Sequence, residues 1–519
     1  MTDKRRRALS ILVAAAALAV AFPSGSSADT GDESPVRTDG GWLRGTVTED
    51  HRSFRGIPYA AAPVGDLRWR APHPPRPWTG ERDATVPGAP CPQLGEDGMI
   101  GSEDCLSLNV TTPRTASGPL PVLVFVHGGG LLKEHGALYD PQRIVAHDAV
   151  VVTLNYRLGV LGFLRHPALR DPYAGNFGLA DQQAALRWVR RNIAAFGGDQ
   201  RNVTLWGQSG GGVSVCAQLA APAARGLFDK AIVQSASCGN DVLDPPTATS
   251  RGLAVAADTG CAEATDAERC LRDTPVDALV READYEQTFS TLHRRAAGKQ
   301  WLPVAGTAAL PLQPLTALRH GLAADVPLIH GGTKHEMRSH VAAVYDLRGT
   351  PVSAAEYPKI VGDLFGRDAD RVLATYPAGD HPTPSLALAT LLTDYGAMVG
   401  ACNQLPAIDA AARRSPVYAY EYAQPSAFQI GDFPLGAHHS ADLPNFLDRG
   451  APPSFTPEQK AFSERLIGHV TDFARTGAPG AEWPAYRRGT ATVLSLAIGQ
   501  TGPVDLAREH RCGFWRSIG

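Results

Sequence analysis

What this sequence of 519 residues lacks narrows it quickly. After residue 22 no apolar run approaches the ~18 residues that a membrane-spanning helix needs. No basic run occurs beyond residue 7, and the formal net charge is −3. Residues 1–28 contribute +3 to that total, so the remainder carries −6. Such a chain is a poor match to a nucleic acid. Internal repeats, low-complexity tracts and long Pro/Ser linkers are absent as well, which leaves no place to divide the chain. Charged residues make up 19% against 44% hydrophobic, the balance of a globular fold with a large core. Residues 29–519 therefore read as one large domain with insertions.

The N-terminus has its own pattern. Lys4-Arg5-Arg6-Arg7 precedes the apolar stretch 8–22, and small residues lead up to Ala28. This is the layout of a secretory signal peptide cleaved after Ala28, too short for a membrane anchor. The expectation is a secreted, extracellular protein. Its 8 cysteines then read as disulfides rather than free thiols. Cys91 and Cys105 bracket one short polar loop, and Cys261 and Cys270 another.

The stretch around which the chain is organised is Val203-Thr204-Leu205-Trp206-Gly207-Gln208-Ser209-Gly210-Gly211-Gly212. Its first four residues read as a buried strand, and 213–219 as an apolar helix. G-x-S-x-G alone is a weak motif, but between a strand and a helix it marks a turn that lifts a serine hydroxyl above a sheet. Upstream, the apolar run 121–126 reads as a central parallel strand and ends in His127-Gly128-Gly129-Gly130. Glycines at a strand's end let backbone N–H groups approach a ligand closely, as in a loop that binds an oxyanion. Further buried strands are expected at 149–155, 231–234, 326–329 and 417–421. A helix is expected at 179–196, stopped by Gly197-Gly198. Strands alternating with helices give a large, mostly parallel central sheet flanked by helices. Residues 29–42 read as a polar lead-in, 54–78 as a Pro-rich surface segment, 103–110 as a half-buried strand and 245–300 as a helical insertion.

An activated serine needs a base, and the base an orienting acid, in the chain order Ser, Asp/Glu, His for such a sheet. Two downstream stretches qualify. Gly331-Gly332-Thr333-Lys334-His335-Glu336 follows a strand, where open α/β sheets place their sites. Gly436-Ala437-His438-His439-Ser440-Ala441-Asp442 lies in a later loop. His335-Glu336-Met337-Arg338-Ser339-His340 comes near the zinc motif H-E-x-x-H, but its histidines are five apart and leave a common helix face, so no metal site is expected. His51, His73 and His510 are isolated and read as surface or satisfied core residues.

With these residues in place, the chain resembles the type-B carboxylesterases, the α/β-hydrolase family that includes the cholinesterases. The resemblance spans nearly the whole chain after the leader. Besides the stretches above, it rests on Phe54-Arg55-Gly56-Ile57-Pro58-Tyr59, Glu103-Asp104-Cys105-Leu106-Ser107-Leu108, Asn155-Tyr156-Arg157-Leu158-Gly159 and Gly175-Asn176-Phe177-Gly178-Leu179-Ala180-Asp181-Gln182. It implies an α/β-hydrolase fold with Ser209 as nucleophile, His439 as base and Glu336 as acid. It implies Gly129, Gly130 and Gly210 as oxyanion N–H donors, and Ser235 as a partner of the acid. It implies the disulfides Cys91–Cys105, Cys261–Cys270 and Cys402–Cys512, leaving Cys216 and Cys238 as a further candidate pair. The implied activity is hydrolysis of a small-molecule or lipid ester through an acyl-enzyme, without metal or organic cofactor. A lipase, sterol esterase or polyester hydrolase with the same three residues is the alternative, and a non-catalytic binding protein on the same scaffold a remote one. The chain departs from the family in Gln208 and Gly210, where the family has Glu and Ala, in His335 for the usual Asp, and in the loop Leu131-Leu132-Lys133-Glu134-His135.

Overall fold

The computed structural model describes residues 35–281, 301–396, 399–426, 432–449 and 454–518. The expected leader and the end of the expected helical insertion lie outside them. Among the described residues, eleven strands form one sheet. They are β1 (Thr46–Val47), β2 (His51–Pro58), β3 (Ser107–Pro113), β4 (Leu120–Val126), β5 (Val150–Leu154), β6 (Gly198–Gln208), β7 (Lys230–Gln234), β8 (Leu328–Thr333), β9 (Val417–Tyr422), β10 (Thr492–Leu496) and β11 (Gly502–Asp505). Their order across the sheet is β11-β10-β9-β8-β7-β6-β4-β5-β3-β2-β1. The seven strands from β10 to β5 run parallel, and antiparallel strands close both margins.

The central strands are buried because both faces of the sheet are covered. In β4 every residue is buried. Val122, Val124 and Val126 enter one core cluster, Leu123 and Phe125 the other. The first cluster packs against α1 (Phe177–Asn192) and α2 (Gly210–Ala220). The second packs against Phe462, Leu466, Ile467, Val470 and Phe473 of the long helix Pro457–Thr476. Buried Arg157 and Asp181 join two of the motifs behind the family resemblance through a two-pronged ion pair, 2.8 and 2.7 Å. No helix of the described residues is long and apolar enough to cross a membrane.

Several expectations shift in detail. The strand expected at 203–206 runs from Gly198 to Gln208. The helix expected at 179–196 is α1 plus a 3-10 turn over Ile193–Phe196, ended by Gly197 at φ 87°. The polar lead-in enters a small separate sheet, in which Pro35–Thr38 pairs with Gly41–Arg44 and that strand with Glu81–Asp83. The described part of the insertion holds helices Pro245–Asp258, Ala267–Asp273 and Val276–Leu279. The largest correction concerns the segment read as surface. Phe54 and Ile57 are fully buried on β2, and Trp69 is buried with its indole N–H donating to the Val160 carbonyl. A register shift between Phe54 and Ile57 breaks the two-residue alternation that would have marked the strand.

All eight cysteines are paired, as Cys91–Cys105, Cys216–Cys238, Cys261–Cys270 and Cys402–Cys512. Next to the last of these lies a buried charge cluster. His510 is held between Asp394, 2.6 Å from Nδ1, and Glu421 of β9, 2.5 Å from Nε2. Burial pushes the imidazolium down, but the two carboxylates outweigh it and hold His510 up at about 10. His510→Ala would leave two buried carboxylates facing each other, and should cost about 3–5 kcal/mol at neutral pH. The sign with pH follows from linkage. A folded-state value raised from 6.5 to about 10 gives stability that is complete below pH 6.5 and lost as pH climbs towards 10. In urea unfolding, the gap between wild type and His510→Ala should therefore narrow between pH 6.5 and pH 10. An unchanged gap would contradict the charged clamp.

Candidate active site

Ser209 stands where β6 ends and α2 begins, with φ 55° and ψ −122°. A side chain at such a backbone position is strained by about 1–3 kcal/mol. The surroundings hold it there. Its N–H donates to the Gln234 carbonyl at 2.9 Å. A Cβ on Gly211 would lie 2.0 Å from the Val126 carbonyl oxygen, so the helix can approach the sheet only through glycine. The first N–H groups of α2 have no partner within the helix and carry its positive dipole end.

Two loops supply the facing groups. Glu336, fully buried, lies just beyond β8 and accepts from the Thr333 N–H at 2.7 Å. The loop after β9 carries His439. The loops are pinned together: the His335 N–H donates to the Ala437 carbonyl, and the Ala437 N–H to His335 Nδ1, at 2.9 and 3.1 Å. His439 Nδ1 donates to Glu336 Oε2 at 2.6 Å. That leaves Nε2 as the acceptor for the Ser209 hydroxyl at 2.9 Å. Burial favours neutral His439, but the Glu336 carboxylate, by charge and hydrogen bond, outweighs it and raises the histidine above its ordinary value. His438 instead donates from Nδ1 to the His439 carbonyl at 2.7 Å, and burial lowers it.

The glycine loop after β4 faces the start of α2. Gly129, Gly130 and Leu131 stand in succession at φ 71°, 66° and 63°. A Cβ on Gly210 would meet the backbone nitrogens of Leu131 and Gly130 at 2.8 and 3.2 Å, so the loop and the helix end are in direct contact. The loop is anchored at both ends. His127 stacks on Tyr156 at 4.5 Å, and the Tyr156 hydroxyl donates to the His127 carbonyl at 2.9 Å. The Glu134 N–H donates to Gln93 Oε1 at 2.7 Å. Burial holds His127 down at about 4, so it stays neutral at physiological pH.

The comparisons decide the family. The family model "Carboxylesterase family" matches residues 32–515. The para-nitrobenzyl esterase of Bacillus subtilis (strain 168) is 34% identical over 93% of this chain and 99% of that protein. The phenmedipham hydrolase of Pseudarthrobacter oxydans is 34% identical over 91% and 96%. The solved Geobacillus stearothermophilus carboxylesterase superposes with a TM-score of 0.77 at 32% identity, over 92% of this chain and 99% of that one. The chain belongs to the carboxylesterase family. It has the α/β-hydrolase fold of these relatives and is a carboxylic ester hydrolase.

Within that family frame, the structure brings Ser209, His439 and Glu336 together, with Gly129, Gly130 and Gly210 beside them. Ser235 is different. Its hydroxyl is buried without a hydrogen-bond partner, and the Glu336 oxygens accept from Thr333 and His439 instead. Ser235 sits at φ 49°, its N–H donating to the Gly331 carbonyl. Three neighbours make contacts at the site that the sequence reading did not foresee. The Gln208 amide donates to Ser440 Oγ at 2.9 Å and lies 3.3 Å from His439 Nε2. His340, set aside as part of a zinc near miss, tilts against His439 with ring centres 5.1 Å apart. The Thr333 contact comes from the backbone and leaves no mark in the side-chain pattern.

Proposed function

We propose that this carboxylesterase works through a Ser209–His439–Glu336 triad and an oxyanion hole built from the N–H groups of Gly129, Gly130 and Gly210. The observation that carries the reading is the unbroken chain of contacts from Ser209 Oγ through both His439 nitrogens to Glu336. His439 takes the Ser209 proton as Oγ attacks the ester carbonyl. Negative charge develops on the carbonyl oxygen, where the three N–H groups would stabilise it. His439 then protonates the leaving alcohol. Water repeats the sequence on the acyl-enzyme and releases the acid. Glu336 keeps the imidazole in the tautomer that accepts from serine.

The substrate class is a small-molecule or lipid ester. Gln208 is neutral where the family carries Glu, so this position puts no anion beside the nucleophile and gives a cationic substrate no help. We further propose export, with residues 1–28 removed and 29–519 as the hydrolase domain; the basic-apolar-small leader and the four cysteine pairs support it. A fluorophosphonate probe tests the chemistry: it should label the intact enzyme once, on the peptide holding Ser209. Label elsewhere, or none on an enzyme that still hydrolyses para-nitrophenyl esters, would reject the triad.

Gly210 gives a second check. A Cβ there would press on the Gly130 and Leu131 backbone. Gly210→Ala supplies the residue that the family carries here and keeps the N–H, so once the loop has shifted to admit the Cβ, kcat should change by no more than about tenfold. Steady-state kinetics on a short-chain ester decides it, and a loss of a hundredfold or more would show that the close contact between Gly210 and the glycine loop sets the positions of the oxyanion donors.

A further inference from the structure

A second cluster lies behind the site. Cys216 is on α2, two turns beyond Ser209; Cys238 follows β7; His330 is on β8. The two cysteines are bonded, and a His330 ring nitrogen lies within 4.8 Å of both sulfurs. His330 is wholly buried, and neither ring nitrogen has a hydrogen-bond partner. An imidazole left this way in a core is costly and has a lone pair to offer. Burial holds it down at about 3, so it is neutral at any physiological pH. Among the described residues, no other cysteine pair has two such donors converging with a third.

We propose that Cys216, Cys238 and His330 form a redox-gated cation site: a disulfide in the oxidised chain, and a two-thiolate, one-imidazole Zn(II) site in the reduced chain. The donor set is the argument. Thiolate and neutral imidazole are the zinc ligands, and two thiolates cancel the ion's charge, so a buried site stays neutral. Three protein donors leave one tetrahedral position for water. A dithiol gives two electrons and two protons to the Cys216–Cys238 bond, which breaks to two thiols as the reductant closes to its own disulfide. Zn(II) then displaces both thiol protons. The ion ties α2 to β7 and β8 where the disulfide did, so the helix carrying the nucleophile keeps its anchor in a reducing compartment.

The test uses the full chain produced in a reducing cytosol and kept anaerobic, beside the oxidised chain. Metal content is read by mass spectrometry, and Co(II) substitution by its thiolate charge-transfer band. The reduced wild type should hold one more equivalent of Zn(II) than the reduced Cys216→Ala/Cys238→Ala variant, and show the Co(II) band that the variant lacks. Added Zn(II) should raise the melting temperature of the reduced wild type and leave the variant unmoved. The oxidised chain should bind none at this site. His330→Gln should weaken binding at least about tenfold. The proposal is overturned by equal zinc content in wild type and variant, by His330→Gln binding as tightly as wild type, or by a reduced chain that does not fold even with zinc present.

Discussion

Ser209→Ala should reduce ester turnover on the order of 10⁵- to 10⁶-fold while leaving the protein folded. The substitution deletes one atom, the Oγ that meets His439 at 2.9 Å. It keeps the backbone at φ 55°, a conformation that alanine finds as unfavourable as serine does, so the turn itself changes little. The sheet, α2 and the Glu336–His439 pair do not depend on that atom. The loss should therefore appear in kcat, with circular dichroism and melting temperature close to wild type. Fluorophosphonate labelling should vanish with turnover. A folded Ser209→Ala enzyme with wild-type turnover would end the assignment, and one that is inactive but still labelled would move the nucleophile elsewhere.

His439→Ala should cost on the order of 10⁴-fold or more in kcat/KM, and His438→Ala tenfold at most. Only His439 reaches both Ser209 and Glu336; His438 spends its Nδ1 on the neighbouring carbonyl. The pH profile follows from the same contacts. A base must be neutral to accept the serine proton, so kcat/KM rises with pH through the His439 value and then levels off. Burial works against the imidazolium, and Glu336 overrides it, so the midpoint lies above the 6.5 of a free histidine. Glu336→Gln keeps the side chain's size but removes the charge, and should move the midpoint down as well as lowering the plateau. A midpoint that stays put in Glu336→Gln, or a live His439→Ala enzyme, would break the triad.

The turn that holds Ser209 and the two stretches that hold Glu336 and His439 were legible from the strands before them, while the choice of Glu336 and His439 within those stretches came from the family resemblance. β4, β8 and β9 are buried along their whole length and β6 from Val203 to Gln208, and each gives way to a glycine-containing or polar loop. Backbone contacts were not legible. Thr333 serves Glu336 through an N–H that every residue but proline possesses. The role expected for Ser235 came from resemblance alone, and its buried hydroxyl makes no hydrogen bond. β2 was hidden by its register shift, and β10 and β11 are too short and mixed to stand out. His510 looked isolated because its partners are 116 and 89 residues away in sequence.

That last distance bears on how the chain is made. Glu421 lies on β9, one of the parallel strands of the central sheet, yet its partner His510 leaves the ribosome 89 residues later. At about 5–20 residues per second, the strand waits roughly 5–20 seconds with a carboxylate that cannot be buried alone. Cys402 waits 110 residues for Cys512 at the same corner. The sheet therefore cannot close around its final strands until the C-terminal residues are available. The nucleophile turn emerges early in synthesis, but the fold that holds it is committed only at the end, so a truncation of about ten residues should be lethal to folding far from any catalytic atom.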